Sequence, residues 1–240
     1  MPAKKIIIIG SSSGLGKELA RVYAQQNNLV AVTARRQYLL EELKSEYPQN
    51  IITAAFDVAA DDNQQQIKLL IKNLDGLNLL IYNAGFGEPS VELNSETEKL
   101  TTLTNVTGFV STVSYVFNFF VQQGYGHIAL TSSLSALRGN GWTPAYSASK
   151  AYMSNYAEGL SIKAHRLKKN INITDIRPGF LDTKMAKGNR QFWVVPVHKA
   201  AMQIVNAIDK KKRIVYISKR WWLVALIMKW LPYSIYKRIA

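Results

Sequence analysis

Short apolar runs, rich in β-branched residues, recur along the chain at residues 6–9, 29–33, 51–56, 77–82, 127–132, 171–176 and 213–218. Each has the length of a strand. Ile6-Ile7-Ile8-Ile9 is apolar at every position, the pattern of a strand covered on both faces in a parallel sheet. Helical patterns fill the intervals. Residues 17–26 put Leu19, Ala20, Val22 and Tyr23 on one face. Residues 94–122 read as one long helix with Leu100, Leu103, Phe109, Val113, Val116, Phe117 and Phe120 on its apolar side, and residues 146–168 as another. This alternation predicts an α/β fold, a parallel sheet with helices on both faces. A chain of 240 residues with 48% hydrophobic content suits one domain with a large core.

The first predicted strand runs directly into Gly10-Ser11-Ser12-Ser13-Gly14-Leu15-Gly16, and a helix follows. Glycines at a strand-to-helix turn leave backbone N–H groups and the positive end of the helix free to hold phosphate. Their spacing, Gly-x3-Gly-x-Gly, differs from the common G-x-G-x-x-G dinucleotide fingerprint. After the second strand stand Arg35 and Arg36, and no Asp or Glu lies between Glu18 and Glu41. An acid in this region would hold a ribose 2′-hydroxyl, whereas Arg accommodates a 2′-phosphate. The expected cofactor is therefore NADP(H) in preference to NAD(H).

Tyr146-Ser147-Ala148-Ser149-Lys150 puts a phenol and an ammonium one helical turn apart, roughly 5–6 Å between Cβ atoms. A neighbouring cation favours the phenolate, so Lys150 is expected to lower the Tyr146 pKa toward working pH. A phenol so tuned exchanges a proton with a carbonyl oxygen. Two surface residues also arise at this spacing, and only the surrounding motifs separate the readings.

Those motifs stand in a fixed order. After Gly10, Gly14 and Gly16, with Ser12, Ser13 and Leu15 between them, comes Asp57-Val58 behind the third strand, then Asn83-Ala84-Gly85 behind the fourth. Asn105 lies in Thr104-Asn105-Val106-Thr107-Gly108, Ser133 stands thirteen residues before Tyr146, and Pro178-Gly179 and Thr183 follow the sixth strand. Over roughly residues 4–185 the chain resembles the short-chain dehydrogenase/reductase family, of the single-domain kind. The resemblance implies a Rossmann-like, doubly wound parallel sheet in three layers. It also implies a cofactor site built from Gly10, Ser12, Ser13, Gly14, Leu15, Gly16, Arg35, Arg36, Asp57, Val58, Asn83, Ala84, Gly85, Tyr146, Lys150, Pro178, Gly179 and Thr183. In such enzymes Tyr146 would protonate the substrate carbonyl as hydride arrives, and Ser133 would hold that oxygen. Lys150 would lower the Tyr146 pKa and bind the nicotinamide ribose, and Asn105 would bend its helix and anchor a relay water. Two positions depart from the family pattern: Ile9 stands where Thr is frequent before the first glycine, and Tyr82 replaces the first Asn of an Asn-Asn-Ala-Gly turn. Both put local hydrogen bonding in question and leave the chemistry intact. Ser132 beside Ser133 is a rival that the thirteen-residue spacing disfavours. Homo-oligomers built by pairing the two long helices are common in the family, so a dimer or tetramer is expected on that ground alone.

The chain has no cysteine, and His127, His165 and His198 are scattered, so neither disulfides nor a metal site is expected. No signal-peptide pattern precedes the first strand, which makes the cytosol the expected compartment. Net charge is +14, and most of it is concentrated at the end: residues 199–240 hold ten Lys or Arg against one acid, Asp209. The predicted division is a catalytic domain at 1–218 and a basic, aromatic extension at 219–240. Within that extension, Trp221 to Met228 is too short to span a bilayer, which takes about 20 residues. Apolar and aromatic residues from Trp221 to Tyr233, bracketed by Lys and Arg, suit a helix lying at the inner face of a membrane. A lid over the substrate pocket or a subunit interface would use the same pattern. Nucleic acid is disfavoured because the charge accompanies bulky aliphatics and no binding module. Residues 184–197 fall where the resemblance places a variable substrate loop. Phe192, Trp193, Val194, Val195 and Pro196 make it apolar and point to a hydrophobic carbonyl or alcohol. The competing readings are a redox sensor without turnover, which would have no use for a proton relay, and a membrane-surface scaffold, which would bind no cofactor.

Overall fold

A computed structural model describes residues 2–90, 92–183 and 192–238. Among the described residues seven strands form one sheet: β1 (Lys5–Ile9), β2 (Leu29–Ala34), β3 (Ile51–Ala55), β4 (Leu79–Tyr82), β5 (Tyr125–Thr131), β6 (Asn170–Pro178) and β7 (Ile214–Ile217). Every pairing is parallel and the order is β3-β2-β1-β4-β5-β6-β7. Each predicted strand is present, with ends shifted by a residue or two.

Parallel pairing needs a crossover between neighbours, and helices supply it on both faces. Helices α1 (Gly14–Gln25), α2 (Gln37–Glu46) and α7 (Val197–Asp209) carry buried residues that join Ile6 and Ile8 in one core. Helices α3 (Asn63–Asn73), α5 (Gly108–Gln123) and α6 (Pro144–Arg166) cover Ile7 and Ile9 on the other face. The four isoleucines of β1 thus alternate between two apolar layers, which explains why residues 6–9 contain no polar position. The result is a three-layer, doubly wound α/β domain.

The strand order reverses direction between β1 and β4. At such a switch point the loops leaving neighbouring strands diverge and open a crevice at their C-terminal ends. Gly10, Asn83, Ser132 and Gly179 directly follow β1, β4, β5 and β6 at that same end of the sheet.

The helix expected over 94–122 is instead two helices, α4 (Ser95–Thr102) and α5, joined by a π-turn at Leu103–Thr107. One extra residue enters the helical ladder there, and the freed Thr104 carbonyl accepts a bond from the Tyr82 hydroxyl at 3.1 Å. Tyr82, where the family pattern has Asn, is fully buried against Phe109 with ring centroids 5.2 Å apart. Its hydroxyl supplies the polar partner that the departure had put in question.

Candidate active site

The glycine turn is tight because neighbouring backbone leaves no room for side chains. A Cβ on Gly10 would stand 2.6 Å from the Ala84 nitrogen, and one on Gly16 would stand 2.0 Å from the Gly10 carbonyl oxygen. Gly10 also takes φ +87°, where glycine alone is unstrained. The turn is pinned from below by the Gly10 and Ser11 N–H groups, which both donate to the Thr33 carbonyl at 2.9 Å, while the buried Ser11 hydroxyl donates to the Ile8 carbonyl at 2.8 Å. Asn83 fastens it sideways: its amide donates to the Gly10 carbonyl at 3.2 Å and accepts from the Thr131 hydroxyl at 3.1 Å. The Ser13 side chain does not cap α1, so the N–H groups of the first turn face the crevice without a side-chain acceptor from the cap residue. Leu15 points into the core, and Gly14 faces the Thr183 methyl across the opening. A backbone cradle that admits no Cβ, at a helix N-terminus, fits a dinucleotide pyrophosphate.

Beside the cradle, the exposed Arg36 guanidinium donates to the Ser12 hydroxyl at 2.8 Å and reaches Ser13 at 3.5 Å. Arg35 turns the other way and stands 3.9 Å from the Asp57 carboxylate. The Asp57 side chain also accepts from the Ala59 N–H at 3.0 Å. The Val58 carbonyl lies under Gly108, where a Cβ would come within 2.6 Å. Gly108 thereby lets α5 close onto the Asp57-Val58 turn.

Asn105 sits in the π-turn with its side chain fully buried. Its amide oxygen accepts from the Phe86 N–H at 2.8 Å, and its amide nitrogen donates to the Phe86 carbonyl at 2.7 Å and the Ser149 hydroxyl at 2.9 Å. The amide therefore clamps the segment after β4 against α6. Gly85 lies over the Lys150 ammonium, where a Cβ would come within 3.2 Å, and a Cβ on Gly87 would stand 2.2 Å from the Tyr146 ring. Gly87 escaped sequence analysis, although Asn83-Ala84-Gly85-Phe86-Gly87 carries the signal of a second close approach.

Lys150 is 3% exposed and its ammonium donates to the Thr131 carbonyl at 2.8 Å, 5.6 Å from the Tyr146 ring centroid. Burial lowers its pKa to about 8, opposed by the charge of Asp175. The expected depression of the Tyr146 pKa is overturned. Burial raises it, and the nearby Ser133 hydroxyl pulls it back only in part. The ring is half-buried and the ammonium donates to the Thr131 carbonyl, so desolvation decides. The Ser133 hydroxyl accepts from the Ser135 N–H at 3.0 Å, which ties its side chain to the start of the 3-10 turn at Leu134–Leu137. Ser132 is buried and donates to Asp175 and to the Ile176 carbonyl, facing away.

Asp175 and Arg177, also unread in the sequence, form a buried pair at 2.7 Å behind Lys150. Ser154, one turn after Lys150 on α6, donates to Asp175 at 2.6 Å and accepts from Arg177 at 2.6 Å. This network ties β6 to the helix that carries both Tyr146 and Lys150.

The family model for short chain dehydrogenases matches residues 4–192. The chain belongs to the short-chain dehydrogenase/reductase family. An oxidoreductase of Mycobacterium tuberculosis, named as uncharacterized, is 31% identical over 99% of this chain and 97% of its own length. Among solved structures, a short-chain dehydrogenase from Sphingobium yanoikuyae in complex with NADPH superposes with TM-score 0.80 at 19% identity, covering 91% of each chain. A 3-ketoacyl-(acyl-carrier-protein) reductase from Brucella melitensis complexed with NADH gives TM-score 0.78 at 18% identity, covering 85% of this chain and 90% of that one. This short-chain dehydrogenase is thus an oxidoreductase that binds a nicotinamide cofactor on a Rossmann-like fold.

The end of the chain meets the site directly. Helix α8 (Trp221–Trp230) buries Trp221 and Ala225 against Leu134, the residue after Ser133. A Cβ on Gly179 would lie 2.1 Å from the Trp221 indole, so the Pro178-Gly179 turn is packed flat on that ring. Phe180, Phe192 and Trp193 complete an aromatic cluster with centroids 5.0–5.9 Å from Trp221. Arg138 donates to the Met228 carbonyl at 3.2 Å and to the Leu231 carbonyl, and stacks 4.1 Å from the centroid of Tyr236 in α9 (Tyr233–Tyr236). The predicted extension is therefore fastened to the segment that carries Ser133. Of the predicted substrate loop, residues 184–191 lie outside the described residues, and Val195 is buried against the domain.

Proposed function

We propose that the protein is an NADP(H)-dependent reductase of hydrophobic carbonyl compounds, with Asn105, Ser133, Tyr146 and Lys150 as its working residues. The observation that carries this reading is the placement of Tyr146 near Ser133 and one turn from the buried Lys150 ammonium, at the glycine-lined end of the sheet. NADPH, when bound, supplies the hydride. Gly10, Gly14, Gly16 and the first turn of α1 would hold its pyrophosphate, Asp57 and Val58 would flank the adenine, and Ala84, Gly85, Pro178, Gly179 and Thr183 would line the nicotinamide side. Tyr146 donates its proton to the substrate oxygen while Ser133 holds that oxygen and stabilises the charge developing on it. The raised Tyr146 pKa keeps the phenol protonated, the form that can donate to a substrate oxygen. Lys150 supplies positive charge and would bind the nicotinamide ribose. Asn105 holds the segment over Lys150 in place and would seat the water through which the proton is renewed. The aromatic cluster around Trp221 supports an apolar substrate. The exposed Leu100, Leu103, Tyr152 and Ile162 along α4, the π-turn and α6 support assembly into a homo-oligomer.

The reach of Arg36 to Ser12 supports a 2′-phosphate site. Arg36→Ala should raise the KM for NADPH by about 10- to 100-fold, the value of one charge-assisted hydrogen-bonding group, while leaving the KM for NADH nearly unchanged. Steady-state oxidation of both cofactors against a panel of aliphatic and aromatic ketones and aldehydes measures this, and equal effects on the two cofactors would refute the preference.

The Lys150 pKa gives two opposed pH dependences. In the folded chain the ammonium is lost above pH about 8, whereas the unfolded chain keeps it to about 10.5. Reductase kcat/KM should be level up to about pH 8 and fall above it. The contribution of this group to stability should instead rise across the window from about 8 to 10.5, because there the unfolded chain binds more protons. A pH–rate profile together with urea titrations of wild type and Lys150→Met across that window checks both signs.

A further inference from the structure

Helix α8 has two faces with different tasks. Trp221 and Ala225 are buried on the site. On the other side Trp222, Leu223, Leu226, Ile227 and Trp230 are exposed, Trp230 at 81%, Ile227 at 61% and Trp222 at 53%, and Tyr233 at the start of α9 extends the patch. A contiguous run of large apolar residues turned to solvent marks an interaction surface. Around it stand Lys219, Arg220, Lys229, Lys237 and Arg238, all exposed, and no acid occurs anywhere in residues 210–240. No helix among the described residues is long and apolar enough to cross a membrane.

We propose that the outer face of α8 and the start of α9 dock on the surface of an anionic lipid bilayer. The charge decides between the candidate occupants. A second copy pairing through this same face would place basic residues opposite basic residues around the apolar centre. An anionic bilayer neutralises them while taking the aromatic and aliphatic side chains into its interface. Tryptophan and tyrosine at the edges of the patch suit the headgroup boundary, where an apolar ring is buried and its polar atom stays wet. The internal fastening matters too. Arg138 bonds to the end of α8 and Tyr236 donates to the Gly139 carbonyl at 2.7 Å, so the helix is presented as a rigid surface and little ordering is left to binding. Because Trp221 on the same helix contacts Gly179 and the aromatic cluster, docking would set the mouth of the site at the lipid boundary. The docking proposal does not depend on the substrate reading above, since its test involves no turnover.

The test is flotation of the 240-residue chain with vesicles of phosphatidylcholine alone and of phosphatidylcholine with phosphatidylglycerol. The chain should float with the mixed vesicles and remain behind with the zwitterionic ones, and high salt should release it. Lys229→Gln/Lys237→Gln should weaken partition roughly 30-fold, about fivefold for each basic residue. Trp230→Ser/Ile227→Ser should abolish flotation with NADPH binding and Tm unchanged. A wild-type chain that fails to float, or variants that float like it, would overturn the proposal. So would a dimer in sedimentation that Trp230→Ser/Ile227→Ser converts to monomer without any flotation of the wild type, which would assign the face to a second copy.

Discussion

Tyr146→Phe is expected to bind NADPH as tightly as wild type and to reduce carbonyl substrates about a thousandfold more slowly, within the 100- to 10,000-fold range of a positioned general acid. The substitution removes one oxygen from a ring whose body is held against Gly87, so the packing of α6 should be unchanged. What is lost is the hydroxyl that stands near Ser133 and one turn from the Lys150 ammonium. Both groups would act on the same substrate oxygen, so Ser133→Ala on the Tyr146→Phe background should cost much less than on the wild type. Fluorescence titration of NADPH separates binding from chemistry, and single-turnover oxidation reads the chemical step. Turnover within threefold of wild type would remove Tyr146 from the mechanism and leave the family fold with some other proton donor.

The central strands were legible because they are buried on both faces, and such strands leave continuous apolar runs that local pattern alone reveals. The glycine turn was legible for a related reason: close backbone approach excludes every other residue, so the constraint is written at the position itself. Features created by contact between distant segments were not. The apolar pattern continues unbroken across residues 94–122, yet the helical ladder slips at Leu103–Thr107 because Asn105 bonds to Phe86 and Ser149, and Tyr82 takes the Thr104 carbonyl. No local preference of those five residues announces this. The direction of the Tyr146 shift failed similarly, since spacing shows a cation four residues away but not how deeply the phenol is desolvated. The two faces of α8 were equally hidden. Composition left lid, interface and membrane as rivals, whereas the structure gives Trp221 to the site and Trp230 to solvent.

Gly16→Ala should cost at least about 100-fold in NADPH affinity and lower Tm by roughly 5 °C, from about 1–3 kcal/mol of overpacking at some 2–4 °C per kcal/mol for a chain of this size. The added methyl would stand 2.0 Å from the Gly10 oxygen and 2.8 Å from the Asn83 amide nitrogen, so one of them must move. Gly10 has nowhere to go. Its N–H is bonded to the Thr33 carbonyl, and the Ala84 backbone closes off its other side. Relief must therefore come from α1 swinging outward, which carries the N–H groups of its first turn away from the pyrophosphate they would hold. Gly159→Ala is the matched control. It lies inside α6 with nothing within 4 Å of the added methyl, so it should stabilise the protein by up to about 1 kcal/mol through helix propensity and leave cofactor affinity alone. Calorimetry and NADPH titration of the two variants decide the matter. A folded Gly16→Ala protein with wild-type affinity would show that the turn after β1 does not hold the phosphates.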